Sequence, residues 1–261
     1  MRKDAIKLEE SRVADSTVLD FPPFKERHRV FPAVFEERKP RIILDLAAGI
    51  GYVTQRLLDD NSATVISHDI SPSCLKHLRE RGAPTLSFDI DNADVGFPFA
   101  SGSFDTVISL VTIEHLLFLN EFLSEVNRIL CDGGYLYIST PNYAAPEYLV
   151  GPVIHGRSFH DPLAPAARYE FFAHIRYFTF KSLGVLVNSH GFALDSVYIA
   201  LPGGSERYQN LFKQSKLKAL TYKSLMWLRH KVLPVYRASE PILCFQKTST
   251  PRPPRFRKVL L

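Results

Sequence analysis

Cysteine is scarce in this sequence, and long apolar runs are absent. The three cysteines, Cys74, Cys131 and Cys244, lie far apart with no paired spacing, which excludes a disulfide framework and a zinc knuckle. No apolar run approaches the ~18 to 20 residues of a membrane span, and the charged N-terminus lacks the apolar core of a signal peptide. We therefore expect a cytoplasmic protein whose membrane contact, if it has one, is peripheral.

Acidic residues are nearly absent from the last part of the chain. Residues 207–261 hold 13 Lys or Arg and one acid, for a net charge of +12, whereas residues 1–206 hold 19 Lys or Arg and 26 acids, for −7. A basic region of this kind either approaches phosphate-bearing lipid, nucleic acid or an acidic substrate, or is a solvated face. No nucleic-acid-binding module is recognisable, so nucleic acid is disfavoured.

Residues 211–233 place Leu217, Leu225, Leu228 and Val232 roughly on one helical face, with Trp227 beside them and lysines between. Such a basic amphipathic helix can lie on an anionic membrane, so residues 207–261 are a candidate peripheral contact. The alternative, which we favour from sequence, is that the helix packs on the sheet or covers a pocket.

Apolar strand-like runs alternate with helix-like segments through most of the chain. Ser71 is a suitable N-cap and Pro72 a suitable first-turn residue for one of the helices. The alternation predicts an α/β fold with a doubly wound, mostly parallel sheet. The predicted strands span 41–47, 63–70, 84–90, 102–111, 133–141, 192–200 and 241–249, and the predicted helices 52–60, 71–82, 119–130 and 179–191.

The length and apolar content suit one large domain with appendages. We divide the chain into an N-terminal cap segment (1–39), a main domain (40–249) and a disordered basic tail (250–261). Within the main domain, residues 142–178 begin with an irregular, proline-rich stretch typical of a lid over a ligand site. Residues 203–239 are a basic helical insertion before the last strand.

The loop after the first strand, "DLAAGIG", is the default ligand site of such a sheet. A dinucleotide loop has the pattern G-x-G-x-x-G, but here Gly49 and Gly51 are followed by Thr54. Asp45 at the mouth of the loop would repel a pyrophosphate and attract an ammonium group. These residues therefore argue against a nicotinamide dinucleotide.

Two more acids follow the next two predicted strands. Asp69 lies 20 residues after Gly49, where a carboxylate can accept both hydroxyls of a ribose, and Asp89 could accept from the exocyclic amine of an adenine. A ligand with an ammonium, a ribose diol and an adenine but no phosphate is S-adenosyl-L-methionine. Aspartates at strand ends also cap loops, but three in register favour the ligand.

The segments "ILDLAAGIG", "VISHDIS", "FDIDNADVGFPFASGSFDTVISLVTIEHL", "FLSEVNRILCDGGYLYISTPN" and "HIRYFTFKSLGVLVNSHGF" together resemble the class I S-adenosylmethionine-dependent methyltransferases. The resemblance is to the type 11 group, which includes methyltransferases of ubiquinone biosynthesis. It covers roughly residues 40–200 and 241–249. It implies a Rossmann-like, seven-stranded sheet of order 3-2-1-4-5-7-6 with strand 7 antiparallel, and S-adenosyl-L-methionine as the cofactor.

The resemblance also implies roles for single residues. Ala47, Gly49 and Gly51 approach the methionine moiety and Asp69 binds the ribose, while Ile70, Asp89 and Ile90 contact the adenine. Ala47 departs from the glycine that the family often has there. Because glycine is required only where φ is positive or a Cβ collides, we expect a negative φ at Ala47.

Methyl transfer to a hydroxyl or an amine needs a base, for which histidine is the commonest choice. His174 is the leading candidate, and His115 the second, although His115 also suits a purely structural role. The remaining candidates on the acceptor side are His155 and His160 as bases, and Arg157 and Arg176 as cations for an acidic acceptor.

Some relatives bind a divalent metal through an acid-x-x-Glu-His cluster after the fourth strand. Glu114 and His115 match the end of this pattern, but Val111 occupies the position of the first acid. We therefore expect no metal site.

These features predict a methyltransferase acting on a small-molecule or lipid-linked acceptor, with oxygen as the target atom. A catalytically silent S-adenosylmethionine-binding scaffold or regulator is the alternative, because no residue is unambiguously catalytic.

Overall fold

A computed structural model of the chain describes residues 6, 7, 10, 25–156, 174–249 and 256–261. Within these residues, strands of one sheet form the centre of the fold. In chain order they are β1 (Ile42–Leu46), β2 (Thr64–His68), β3 (Thr85–Leu86), β4 (Phe104–Leu110), β5 (Leu130–Ser139), β6 (Phe192–Ile199), β7 (Ile242–Lys247) and β8 (Arg257–Leu260).

The strand order is β3-β2-β1-β4-β5-β7-β6-β8. β1 pairs in parallel with β2 and β4, whereas β7 runs antiparallel to both β5 and β6. This confirms the predicted order 3-2-1-4-5-7-6 with an antiparallel seventh strand. The eighth strand, which pairs in parallel with β6 at the edge, was not predicted.

Helices flank the sheet in the places that the sequence pattern predicts. The Ser71 hydroxyl accepts a hydrogen bond from the Cys74 backbone N–H at 3.2 Å. The Thr179 hydroxyl likewise accepts one from the Ser182 backbone N–H at 3.1 Å. The helices that follow Ser71 and Thr179 therefore begin at side-chain caps. The helices are α1 (Glu26–Arg29), α2 (Tyr52–Asp60), α3 (Pro72–Glu80), α4 (Leu119–Ile129), α5 (Pro146–His155), α6 (Phe180–Asn188), α7 (Glu206–Gln214) and α8 (Lys216–Val232), with 3₁₀ turns at Ala33–Phe35, Ile113–His115 and Val235–Arg237.

Both faces of the sheet are buried, as in other mostly parallel sheets. Leu44 of β1 packs in a cluster with Phe122 of α4 and Leu183 of α6. The neighbouring residue Ile43 packs on the opposite face, with Leu57 of α2 and with Phe31 from the N-terminal segment. The N-terminal cap segment is thus part of the core where it is described.

The predicted third strand, 84–90, is shortened to two residues. The imidazole of His68 lies 2.8 Å from the Phe88 carbonyl oxygen through Nε2. Because this side chain bonds the backbone of Phe88, the chain leaves β2 after Leu86. The predicted strand is wrong beyond that point.

The segment 142–178 is more regular than its prolines suggest. Pro146 occupies the first turn of α5, where its missing N–H costs nothing, and Gly156 ends the helix in a left-handed conformation. Residues 157–173 lie outside the described residues, so the lid itself stays a prediction.

The predicted disordered tail is wrong for residues 256–261. These residues form β8, and the Leu261 N–H donates to the Ile199 carbonyl at 3.0 Å. The edge of β6 offers unpaired backbone groups that a short extended segment can satisfy. Residues 250–255 lie outside the described part of the chain.

The basic insertion folds as α7 and α8. Glu26 of α1 accepts hydrogen bonds from the backbone N–H groups of Gly203 and Ser205, at 2.7 and 2.8 Å, and so anchors the start of α7. Contrary to the expectation that the apolar face of α8 would pack inward, Leu217 and Val232 are exposed. No described helix has both the length and the apolar character that crossing a membrane requires.

Candidate active site

The loop between β1 and α2 is built by glycines in left-handed backbone conformations. Gly49 has φ +58°, and a Cβ at this residue would meet no atom within 4 Å. Gly51 has φ +83°, and a Cβ there would lie 2.7 Å from Leu78 of α3. Gly51 is therefore required for packing, whereas Gly49 borders open space.

Ala47 also has a positive φ, of +54°, so the expectation of a negative φ is wrong. The chain turns sharply after β1 because the Ala48 N–H donates to the His68 carbonyl at 2.9 Å. The Ala47 N–H points to Nδ1 of the same histidine at 3.4 Å. An Nε2–H tautomer of His68 satisfies both this contact and the Phe88 carbonyl, so His68 has a structural role.

Asp45 is buried at the end of β1, 4% exposed. Its carboxylate accepts a hydrogen bond from the Thr54 hydroxyl at 2.8 Å, and Thr54 is also 2.9 Å from the Ser67 hydroxyl. Burial raises the pKa of Asp45 to about 7, and the Asp69 charge adds to the rise, while Thr54 opposes it. Thr54, which replaces the third glycine of a dinucleotide loop, thus orients the carboxylate.

Asp69 lies against the glycine loop. Its carboxylate accepts from the Gly49 N–H at 2.8 Å and from the Ser71 N–H at 2.9 Å. These bonds fix the carboxylate at the carboxyl end of β2. A carboxylate has about four lone-pair sites, so an orientation held by backbone donors is compatible with further bonds to hydroxyls.

Asp89 lies beyond the end of β3 and is 8% exposed. Its Oδ1 accepts from the Asp91 N–H at 3.0 Å, and within the described residues its buried Oδ2 has no hydrogen-bond partner. An unsatisfied buried carboxylate oxygen is costly and indicates a missing donor. Ile90 packs at the margin of the core and Ile70 is half-buried.

The two leading histidines lie close together. The rings of His115 and His174 are 4.8 Å apart, and the Tyr143 hydroxyl is 3.1 Å from His174 Nδ1. The segment that carries His174 is held in place because the N–H groups of Ile175 and Arg176 both donate to the Glu114 carbonyl at 3.1 Å. The structure therefore brings together both catalytic candidates of the sequence.

The Glu114 side chain is fully buried next to this pair. Neither of its oxygens accepts a hydrogen bond of good geometry from the described residues. Burial raises the pKa of Glu114 to about 7; weak bonds from its own N–H and the Thr140 hydroxyl, and then the Arg27 guanidinium, act against this rise, and Glu240 adds to it.

Glu114, His115 and His174 form a set of side chains that could hold a metal ion. Their ligand atoms lie within 4.8 Å of one another. His174 supplies a third ligand that the local sequence pattern did not reveal. Val111 has φ +55°, which is unusual for a β-branched residue and redirects the chain after β4 toward Glu114.

The remaining acceptor-side candidates are not in this cluster as described. Arg176 is exposed and its guanidinium donates to the Leu117 carbonyl at 3.1 Å, so it supports a loop. His155 is exposed at the end of α5. Arg157 and His160 lie outside the described residues.

Sequence reasoning missed Tyr143, Arg27 and Asn142. Asn142 bonds the Ala238 carbonyl at 2.6 Å and the Phe180 N–H at 3.0 Å, which ties the end of the insertion to α6 beside the site. The only local signal was the position of Asn142 and Tyr143 directly after a buried strand. Arg27 had no such signal, because it reaches the site from the N-terminal segment.

Parts of the chain are similar to known proteins. Residues 44–138 match the family model described as a methyltransferase domain. A demethylmenaquinone methyltransferase of Beutenbergia cavernae is 36% identical over 48% of this chain and 51% of its own length. The human mitochondrial protein named arginine-hydroxylase NDUFAF5 is 25% identical over 77% of this chain and 58% of its own length. The chain thus spans about half the length of these curated relatives.

A solved structure from Thermotoga maritima, described as an S-adenosylmethionine-dependent methyltransferase and possible histamine N-methyltransferase, superposes with a TM-score of 0.55. The match covers 85% of this chain and 89% of the other at 16% identity. At this identity the likeness shows the fold, and the acceptor is a separate question.

Proposed function

We propose, on the premise that this chain belongs to the class I S-adenosylmethionine-dependent methyltransferases, that it methylates an oxygen of a small-molecule or lipid-linked acceptor. A relative named for demethylmenaquinone supports an acceptor of the quinone or lipid kind. We place the protein in the cytoplasm, with peripheral membrane contact through residues 207–261 where the acceptor is lipid-linked.

The observation that carries the proposal is the pairing of Tyr143 with His174 beside His115, 3.1 Å between the hydroxyl and Nδ1. A tyrosine oxygen that accepts from Nδ1–H favours the tautomer in which Nε2 is the basic nitrogen. His174 then takes the acceptor's hydroxyl proton while the O–CH₃ bond forms and the S–CH₃ bond breaks. His115, whose ring lies 4.8 Å from that of His174, either stabilises the protonated His174 or acts as a second base.

S-adenosyl-L-methionine supplies an electrophilic methyl group on a sulfonium, so the protein mainly aligns the reactants and excludes water. Asp45 would hold its ammonium, Asp69 its ribose hydroxyls, and Asp89 with Ile70 and Ile90 its adenine. Ala47, Gly49 and Gly51 would face the methionine moiety. The unpartnered Oδ2 of Asp89 fits an exocyclic amine.

We propose that no metal takes part. Glu114 is the single carboxylate of the three-residue set, and the nearby Arg27 cation would oppose a second positive charge. Chelation followed by dialysis tests this point. Unchanged turnover supports the histidine base, whereas a loss that Mg²⁺ or Mn²⁺ restores assigns the three side chains to a metal ion.

The experiment for the function is a transfer assay with radiolabelled methyl donor and cell extract. Products are separated into small-molecule, lipid, nucleic-acid and protein fractions. Label in the small-molecule or lipid fraction supports the proposal, and His174→Gln should reduce its rate of appearance by roughly a hundredfold or more while cofactor binding remains.

A second candidate is a S-adenosylmethionine-binding protein that transfers no methyl group. Two observations favour it: Ala47 has φ +54° where a glycine would be unstrained, and a relative carries the name of a hydroxylase. Cofactor binding without any S-adenosylhomocysteine formation would select this candidate.

A further inference from the structure

The helix α8 exposes an apolar face that the rest of the described chain leaves uncovered. Leu217, Leu225, Leu228 and Val232 are spaced to lie on one side of the helix, and all four are exposed, Leu217 and Val232 by 73%. Trp227 is 45% exposed near this side. A contiguous apolar face of this kind marks an interaction site.

The basic insertion that carries this face has charge of one sign. Residues 207–239 contain eight Lys or Arg and no Asp or Glu. Lys216, Lys218 and Lys231 are exposed, and the Lys231 ammonium lies 5.3 Å from the Trp227 ring centroid. Aliphatic side chains, a tryptophan and lysines in one helix match the composition of helices that lie in a membrane interface.

A second apolar face lies beside the first. Arg229 of α8 forms a bidentate ion pair with Glu147 of α5, with Nη2 to Oε2 at 2.8 Å. Val150 and Ile154 lie three and seven residues after Glu147, on the same side of α5, and both are exposed. Val153 is exposed by 76%. The ion pair therefore joins two helices that both present apolar side chains.

The same helix α5 reaches the acceptor-side cluster. The ring of Tyr148 in its first turn lies 4.9 Å from the ring of Tyr143, whose hydroxyl contacts His174. The exposed faces of α5 and α8 are thus connected to the candidate base by one helix and one aromatic contact.

We propose that Leu217, Leu225, Trp227, Leu228 and Val232 of α8, together with Val150, Val153 and Ile154 of α5, form a docking face that binds the interface of a membrane containing anionic lipids. The positive charge of residues 207–239 complements anionic headgroups and would repel a second copy of the same face. The apolar side chains at its centre have no counterpart on a nucleic-acid backbone. This proposal deepens the lipid-linked acceptor of the proposed function, because docking would bring α5 and the acceptor site to the lipid.

The test is co-sedimentation of the full chain with vesicles of phosphatidylcholine alone or with about 30% phosphatidylglycerol. We expect the protein to pellet with the anionic vesicles several-fold more than with the neutral ones, and less at about 0.5 M salt. Leu217→Gln with Val232→Gln should weaken binding roughly tenfold or more. Equal pelleting of this double variant and the wild type would overturn the proposal, as would equal binding to both kinds of vesicle.

The matched control is Val185→Gln on α6, since Val185 is 71% exposed and lies outside the docking face. It should bind vesicles like the wild type; an equal loss in this variant would also contradict the assignment. Dimerisation that the double variant abolishes, without vesicle binding, would assign the face to a second copy and overturn the proposal. Affinity for S-adenosyl-L-methionine, measured without vesicles, reports on the proposed function separately and should be unchanged in both variants.

Discussion

The Thr54 hydroxyl donates a 2.8 Å hydrogen bond to the Asp45 carboxylate at the base of the glycine loop. Thr54 lies in the first turn of α2 and Asp45 in β1, so the bond joins the strand and the helix that enclose the loop. Where a dinucleotide-binding loop has its third glycine, this chain has Thr54, whose hydroxyl is a hydrogen-bond donor. Its partner is an acid that is suited to bind an ammonium group.

Cofactor affinity should depend on pH through Asp45. Burial raises the pKa of this carboxyl to about 7, so below that pH the unliganded protein holds it neutral. Binding the ammonium requires the carboxylate and releases the proton, so affinity for S-adenosyl-L-methionine should rise from about pH 5.5 to about pH 7, by up to roughly tenfold per unit. Calorimetry across this range measures it.

Asp45→Asn is the corresponding variant. It should bind the cofactor more weakly and without this pH dependence. If the cofactor affinity of the variant changes with pH as steeply as that of the wild type, a group other than Asp45 releases the proton.

Asp69→Ala should lose most of the cofactor affinity, by roughly a hundredfold, because it would remove the proposed charge-assisted bonds to the ribose together with the acceptor of the Gly49 N–H. Asp59→Ala, an exposed acid on α2, is the matched control and should bind normally. Titration of both variants with S-adenosylhomocysteine measures the difference. Equal affinity in the two would remove Asp69 from the site.

Ala47→Gly should stabilise the protein. A left-handed conformation costs an alanine about 1 kcal/mol that a glycine does not pay, partly offset by the entropy that glycine adds to the unfolded chain. We expect a rise in the free energy of unfolding of up to about 1 kcal/mol in a denaturant titration. Ala48→Gly is the control: its φ is not positive, so the same change there should destabilise. A loss of stability in Ala47→Gly would show that its methyl packs usefully.

Glu114 should lower stability at high pH. Its pKa is about 7 in the folded protein and near 4.5 when unfolded. Between these values the folded state binds a proton that the unfolded state has released, so the free energy of unfolding falls as pH rises through this window and stays low above it. Glu114→Gln should remove this decline and gain about 2–3 kcal/mol at pH 8 relative to the wild type.

Glu125→Gln is the control, because the pKa of Glu125 is shifted in the opposite direction to that of Glu114. The hydrogen bond from Arg128 lowers the pKa of Glu125, so its contribution is present above about pH 4.5 and lost as pH falls. That variant should lose stability at neutral pH. If the free energy of unfolding of Glu114→Gln still falls with rising pH as in the wild type, Glu114 is not the group that causes the fall.

The alternation of strands and helices was predictable from apolar runs and from helix caps such as Ser71 and Thr179, whereas the strand order was implied only by the family resemblance. The edge strand β8 was not predicted, because its contacts with the backbone of β6 and with the side chains of Glu36 and Ser196 join segments far apart in the chain, and no local pattern encodes them. The three aspartates were found from their positions at strand ends.

The acceptor side was only partly predictable. His115 and His174 were visible as residue types, but Tyr143 and Arg27 join them through contacts between segments far apart in the chain. The left-handed backbone at Ala47 and Val111 depends on how β1 and β4 end against their neighbours. Residue type alone carries little information about such turns.

The acceptor-side histidine should matter to turnover and not to cofactor binding. His174→Gln should reduce the rate by roughly a hundredfold to ten-thousandfold at unchanged affinity for S-adenosyl-L-methionine. Tyr143→Phe should have a smaller effect, since it changes only the tautomer and orientation of His174. His190→Gln at the end of α6 is the matched control and should have wild-type activity. Wild-type turnover in His174→Gln would move the base to His115.

The most direct measurement is transfer of a labelled methyl group from S-adenosyl-L-methionine, followed together with formation of S-adenosylhomocysteine. The wild-type protein should produce both in equal amounts, with the label on an oxygen of a small-molecule or lipid product, and Asp69→Ala should produce neither at the same cofactor concentration. Saturated cofactor binding with no S-adenosylhomocysteine and no labelled product, across all fractions of the extract, would contradict the account.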